Sequence, residues 1–222
     1  MTTSRSTPTR GEMIDFLGTE TPHDSEGQAT QLYEMMLVFG VSAPTAQAKV
    51  VKLYSPPRVT TEMAAMPDVS VGPGLTFDLK ADATGKTWDF TRAVDRHEAL
   101  RQIQEQRPYL VIGSPPCASF CSMNVRLNYP KMDPADVARR VVEGKVLLDF
   151  ALQVYRVQLE SGRHLLHEHP ASASSWAAPG VQRLLAQPGI AAVTCDQCRF
   201  GLQVKGENGE YGLAKKPTRF MS

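Results

Sequence analysis

Leu110-Val111-Ile112-Gly113-Ser114-Pro115-Pro116-Cys117-Ala118-Ser119-Phe120-Cys121 is the stretch on which the fold turns. Pro108 to Ile112 is short and almost wholly apolar, which reads as a strand buried on both faces. Gly113-Ser114-Pro115-Pro116 breaks it at once. In parallel α/β sheets, ligands collect at the carboxyl ends of strands. The two prolines stiffen the loop there and aim the Cys117 sulfur out of the sheet edge. A nucleophile gains from that stiffness, because orientation is entropy removed before the reaction begins. The competing reading is a structural cysteine, since free Cys is commonly buried. The double proline at a strand end favours the nucleophile.

Outward from this loop, strand-like and helical runs alternate. Val50, Val51, Leu53 and Tyr54 read as a buried strand stopped by Ser55-Pro56-Pro57, and Arg58 to Met66 as a short helix. Gly72-Pro73-Gly74 reads as a turn, Leu75 to Leu79 as a short strand, and Trp88-Asp89-Phe90 as part of another. Asp95 to Gln106 is helical. Asp133-Pro134 is an N-cap with proline at the first helical position, opening a helix to about Glu160 with Val137, Val141, Leu148, Leu152 and Tyr155 inward. Gly162 closes it. His164 to His167 is a strand, Ala173 to Ala186 a helix and Ile190 to Cys195 a strand. Asn208-Gly209 marks a hairpin tip, and Thr218 to Met221 is the last strand. This alternation predicts an α/β protein with a mostly parallel sheet covered by helices on both faces, the C-terminal hairpin adding an antiparallel edge. Near the amino end, residues 1 to about 24 lack apolar periodicity and read as a disordered tail, so that 25–222 is a single domain. Gln28 to Phe39 carries Leu32, Met35, Met36 and Phe39 at helical spacing before Gly40.

Three further segments carry chemistry. In His164-Leu165-Leu166-His167-Glu168-His169-Pro170, an apolar strand ends in an acid flanked by two histidines. Near a cleft, Glu168 could hold or deliver a proton; a solvated carboxylate and a two-histidine metal site are the alternatives. Thr194-Cys195-Asp196-Gln197-Cys198 contains a CxxC, which with Cys117 and Cys121 could complete a four-thiolate zinc site. A metal-bound Cys117 could not also act as nucleophile, so the expectation is no metal. Lys215-Lys216-Pro217-Thr218-Arg219 is basic and enters a strand, where Arg219 could donate to a carbonyl or phosphate; a solvated charged turn is the alternative.

Read in order, these segments resemble cytosine-C5 DNA methyltransferases, in a compact form of the phage or retroelement type without a target-recognition domain. Pro115, Pro116 and Cys117, with Phe120 after them, match the family's Pro-Pro-Cys loop. Glu168 matches the acid of its Glu-Asn dipeptide, with His169 where Asn is usual. Asp196 to Gly201 and Thr218-Arg219 stand in the place of its Arg-containing motif. The resemblance covers roughly residues 50 to 222 and implies a Rossmann-like methyltransferase fold. It implies catalytic roles for Cys117, Glu168 and Arg219. It implies S-adenosylmethionine as cofactor, held by Tyr54, Ser55, Asp78, Asp89 and Pro115, and DNA or a pyrimidine nucleotide as substrate. The chain departs from the family at the Gly-rich cofactor loop, replaced by Ser55-Pro56-Pro57-Arg58, at the close spacing of Asp78 and Asp89, and at Ser119, where glycine is customary. The cofactor is therefore expected to bind weakly or in an altered pose. C5 modification of free pyrimidine nucleotides or single-stranded nucleic acid, and an inactive nucleic-acid-binding module of the same fold, are the rival functions.

Composition sets the outer bounds. The 222 residues suit one domain with a sizeable core. The net charge of +1 gives no global basic field for nucleic acid, which leaves a local patch. Four cysteines do not make a disulfide scaffold at this length. No apolar run would cross a bilayer, and Met1 to Gly11 has no secretory leader pattern. A cytoplasmic setting is expected, that of the host if the chain is viral, with a nuclear one if it is eukaryotic.

Overall fold

The structure, a computed structural model, describes residues 48–65, 71–80, 85–206 and 209–222. The expected tail, the helix from Gln28 to Phe39, and Met66 and Asn208 lie outside these residues. The described elements are β1 Ala48–Leu53, α1 Arg58–Ala65, β2 Val71–Phe77, α2 Ala93–Gln106, β3 Leu110–Gly113, α3 Pro134–Glu160, β4 His164–Pro170, α4 Pro179–Leu185, β5 Ala192–Asp196, β6 Gln203–Lys205, β7 Tyr211–Leu213 and β8 Pro217–Met221.

Six strands form one sheet in the order β2-β1-β3-β4-β8-β5. β2, β1, β3 and β4 pair in parallel, and β8 runs antiparallel to both β4 and β5. This is the mostly parallel α/β sheet expected from the alternation of elements. β3, the strand before Cys117, is central.

Facing residues of paired strands share a side of the sheet. One side carries Val51, Leu53, Val111, Leu165 and Met221, packed against Phe150, Leu152 and Tyr155 of α3 and Val181 and Leu184 of α4. The other carries Val50, Leu110, Ile112 and Leu166, packed with Val59 and Met63 of α1. Asp133 caps α3 as its sequence predicts, its carboxylate accepting from the amides of Ala135 and Asp136. Leu148, Leu152 and Tyr155 are buried, whereas Val137 and Val141 are half-buried, because the first turns of α3 overhang the sheet edge beside the Cys117 loop.

Several expectations change. Gly72-Pro73-Gly74 is no turn: it lies within β2, at the sheet edge, where a missing proline N–H breaks no ladder on the open side. Trp88-Asp89-Phe90 is irregular, and its alternation reflects two aromatic rings entering the core rather than a strand. The helix expected over Ala173–Ala186 is split into a 3-10 turn, Ser174–Ala177, and α4, because Pro179 forces the residue before it out of the helical region. The hairpin β6–β7 forms a separate two-stranded sheet, and the antiparallel strand of the main sheet is β8, inserted between β4 and β5 rather than at an edge. Among the described residues, no helix is long and apolar enough to cross a membrane.

Candidate active site

The carboxyl edge of the sheet gathers the loops that follow β1, β3 and β4. Leu53, Gly113 and His167 lie in one row across β1, β3 and β4, so Tyr54, Ser114 and Glu168 emerge together. The row is fixed from behind by Tyr155, whose hydroxyl donates to Gly113 O and lies 3.1 Å from His167 Nδ1. Gly113 leaves room for this, since a Cβ there would meet the Tyr155 hydroxyl at 2.0 Å.

Cys117 is half-buried, just beyond the end of β3 and outside the closed core. It opens a 3-10 turn, Ala118–Phe120, in which Phe120 N donates to Cys117 O. Burial pushes the thiol above its ordinary range; Cys121 and Glu168 push it further, and Lys216 acts against them. Glu168 thus lies within electrostatic reach of Cys117, and of Cys195 as well. Cys117 and Glu168 emerge at the same carboxyl edge of the sheet, from the neighbouring strands β3 and β4.

Arg219 stands differently. It faces His169 and Thr194 in the ladder, whereas Glu168 faces Phe220, so Arg219 projects from the opposite side of the sheet to Glu168. Its guanidinium lies 4.9 Å from the Trp176 ring centre, a cation–π contact.

The two histidines flanking Glu168 are both buried. His169 Nε2 donates to Pro115 O at 2.9 Å, and its Nδ1 accepts from Ser175 Oγ, so both ring nitrogens are engaged. His169 thereby pins the proline loop that carries Cys117, and Pro115, expected at the cofactor, is buried in this contact. His167 is wholly buried, and desolvation holds its pKa down to about 3. Among the described residues, no group of three or more His, Cys, Asp or Glu side chains is arranged to hold a metal ion. All four thiols are free.

Beside the Cys117 loop, at the carboxyl ends of β1 and β2, lies a narrow cleft of about 70 Å³. Its walls are Tyr54, Phe77, Trp88, Phe90, Pro116 and Leu147, with Asp78 and Asp89 among its polar groups. Tyr54 takes a left-handed backbone conformation (φ 65°) and donates its hydroxyl to Leu147 O at 2.7 Å, tying the β1 loop to α3. Tyr54 and Phe90 meet edge to face at 5.2 Å, and Phe77 and Trp88 at 4.7 Å. Thr91 donates its backbone amide and its hydroxyl to Asp89 Oδ1, which holds that carboxyl below its ordinary range. Of the residues expected to hold a cofactor, Tyr54, Asp78 and Asp89 line this cleft; Ser55 instead accepts a hydrogen bond from Lys52. Aromatic walls with two carboxylates suit a purine nucleoside, whose hydroxyls and amine are donors. The small volume encloses only part of one.

A second cavity of about 370 Å³ shares Pro116 and Leu147 with the first and is also lined by Ser119, Asn124, Asn128, Tyr129, Arg140 and Gly144. Sequence reading missed it, as it missed the buried Lys52. A lysine inside the apolar run Val50-Val51-Lys52-Leu53 was the available signal.

No family model matches the chain, and no curated protein matches it. Among solved structures, a protein-(glutamine-N5) methyltransferase specific for release factors, from Alicyclobacillus acidocaldarius, is similar over 91% of this chain and 98% of that chain, at 13% identity and a TM-score of 0.39.

Proposed function

We propose that the protein is an S-adenosylmethionine-dependent methyltransferase acting on C5 of cytosine in DNA, with Cys117 as nucleophile. The observation that supports this reading is that Cys117 and Glu168 emerge from the carboxyl ends of two neighbouring central strands, within electrostatic reach of each other, with an aromatic, acidic cleft beside the Cys117 loop.

In this reading the Cys117 thiolate adds to C6 of the cytosine ring. The C5–C6 π electrons move toward C5, which becomes enamine-like and nucleophilic. Glu168, as the carboxylic acid, donates its proton to N3, neutralising the negative charge that addition places there, while its other oxygen accepts from the N4 amine; the proton returns to Glu168 when the ring is restored. Bound S-adenosylmethionine would supply an electrophilic methyl group to C5, its sulfonium leaving as the thioether of S-adenosylhomocysteine. Loss of the C5 proton to a base restores the double bond and expels the Cys117 thiolate. Tyr54, Asp78 and Asp89 would hold the adenosine part of the cofactor. A base within a duplex must first leave the stack to reach Cys117.

The test is covalent trapping. The protein is incubated with S-adenosylmethionine and 5-fluorocytosine, presented in duplex DNA, in single-stranded DNA and as the free nucleotide. Fluorine cannot leave as the proton does, so the adduct persists and mass spectrometry finds it on Cys117; Cys117→Ser forms none. An adduct on single strands or nucleotide alone reassigns the substrate. No adduct on any of the three overturns the reading.

A further inference from the structure

The loop after β1 is poor in backbone donors. Pro56 and Pro57 have no amide hydrogen, and Arg58 N is engaged with Pro56 O at 2.7 Å. An anionic ligand group crossing the end of β1 must be met by side chains. Lys52 is placed for this. It is 6% exposed, shares a sheet side with Ile112 and Leu166, and donates from Nζ to Ser55 Oγ at 2.9 Å, at the carboxyl edge. Among the described residues it makes no ion pair.

A buried ammonium without a counter-charge is costly. Desolvation above all, and then Arg58, lower the Lys52 amine while Glu168 and Asp78 raise it, and together they hold it at about 8. Lys52 is therefore within electrostatic reach of Asp78, which lines the aromatic cleft, and of Glu168 and Arg58. β1 lies between β2, which leads to Asp78, and β3, which leads to Cys117, so a ligand that spans the two crosses the carboxyl end of β1, where the Lys52 ammonium meets Ser55.

We propose that Lys52, with Ser55 and Arg58, binds the carboxylate of the cofactor's amino-acid tail, replacing backbone amides with a side-chain ammonium. This rests on the cofactor reading given above. The carboxylate supplies the missing counter-charge, so the amine gains a proton when the ligand binds near or above pH 8.

Calorimetry with two ligands tests it: S-adenosylhomocysteine, which carries the carboxylate, and 5′-methylthioadenosine, which shares the nucleoside and lacks it. The wild-type chain is expected to bind the first roughly tenfold or more tighter, the size of one charged hydrogen bond. Lys52→Met should erase that difference without changing the binding of 5′-methylthioadenosine, and Lys52→Arg should restore most of it. At pH 8.5 the heat of S-adenosylhomocysteine binding should vary with buffer ionisation enthalpy as proton uptake requires, and in Lys52→Met it should not. Methionine replaces a buried amine with an apolar chain of similar length, so the variant's melting temperature should not fall. Equal affinity of the wild type for the two ligands, or equal losses for both in Lys52→Met, overturns the Lys52 assignment and leaves the cofactor reading standing. Failure of the wild type to bind either ligand overturns both.

Discussion

Glu168 and Lys216 act on the Cys117 thiol with opposite signs. Burial has already moved that thiol above its ordinary range, so the resting side chain is protonated at neutral pH and thiolate accumulates only as pH rises. The carboxylate of Glu168 raises it further, and the ammonium of Lys216 lowers it. The two proposed duties of Glu168, serving the substrate edge and tolerating a nearby thiolate, therefore conflict, and one substitution separates them. Alkylation of Cys117 by iodoacetamide at pH 8 is expected to run severalfold slower than that of a free thiol. Glu168→Gln should speed it and Lys216→Glu slow it. The same Glu168→Gln should lower methyl-transfer turnover by about 10²-fold or more, with little change in cofactor affinity. Peptide mass spectrometry over a pH series reads the first effect. Slower alkylation in Glu168→Gln would remove the carboxylate from the neighbourhood of the thiol.

At the scale of elements, the Cys117 loop rests on α3 through a glycine. A Cβ on Gly144 would meet Ser119 Oγ at 2.4 Å and Ser119 Cβ at 2.5 Å, and Ser119 Oγ donates to Arg140 O at 2.7 Å. The helix thus positions the segment two residues past the nucleophile. Gly144→Ala, which improves intrinsic helix propensity by ~1 kcal/mol, should displace the loop and lower activity at least tenfold while changing stability little. Gly113→Ala makes the contrast: its Cβ strikes the Tyr155 ring inside the core, and a loss of ~2–4 kcal/mol in unfolding free energy is expected. Denaturant melts and trapping yields on both variants check this; an active Gly144→Ala would uncouple helix from loop. These contacts also show what the sequence could reveal. The strand before Cys117, its proline loop and the cap at Asp133 were legible because each is local. The insertion of β8 was not, because no local pattern states which strand pairs with which. Arg219 illustrates the cost: one residue of ladder register decides the side of the sheet, and it puts Arg219 on the side away from Glu168. Trp88 and Phe90 mimic strand alternation because two rings enter the core from an irregular segment. Lys52 escaped because a strand buried on both sides gives alternation little meaning.

For the molecule as a whole, His167 ties stability to pH. It lies at the middle of the sheet, neutral and wholly buried, with its pKa near 3 against an ordinary 6.5. Between those values the unfolded chain binds a proton that the folded chain refuses. The stability due to the neutral ring is therefore complete above pH 6.5 and is lost as pH falls toward 3, by up to about 1.4 kcal/mol for each pH unit. Thermal melts from pH 7.5 to 4 should show a falling midpoint, and the slope should lessen in His167→Gln. An unchanged slope in that variant would place the acid sensitivity elsewhere.

The position of β8 bears on how the chain comes to be assembled. His167 pairs with Met221 and Ala192 pairs with the same residue from the other side, so β8 fills a slot between two strands that precede it in the chain. β4 and β5 emerge from the ribosome before the strand that belongs between them. If they zipped together first, they would close the slot and leave β8 no ladder to join. Productive folding must keep them apart until residues 217–221 are available. Pairing that waits for a later strand is slower than a hairpin and leaves strand edges open meanwhile. The interval before β8 arrives is when a nascent chain is most exposed to aggregation or to a chaperone.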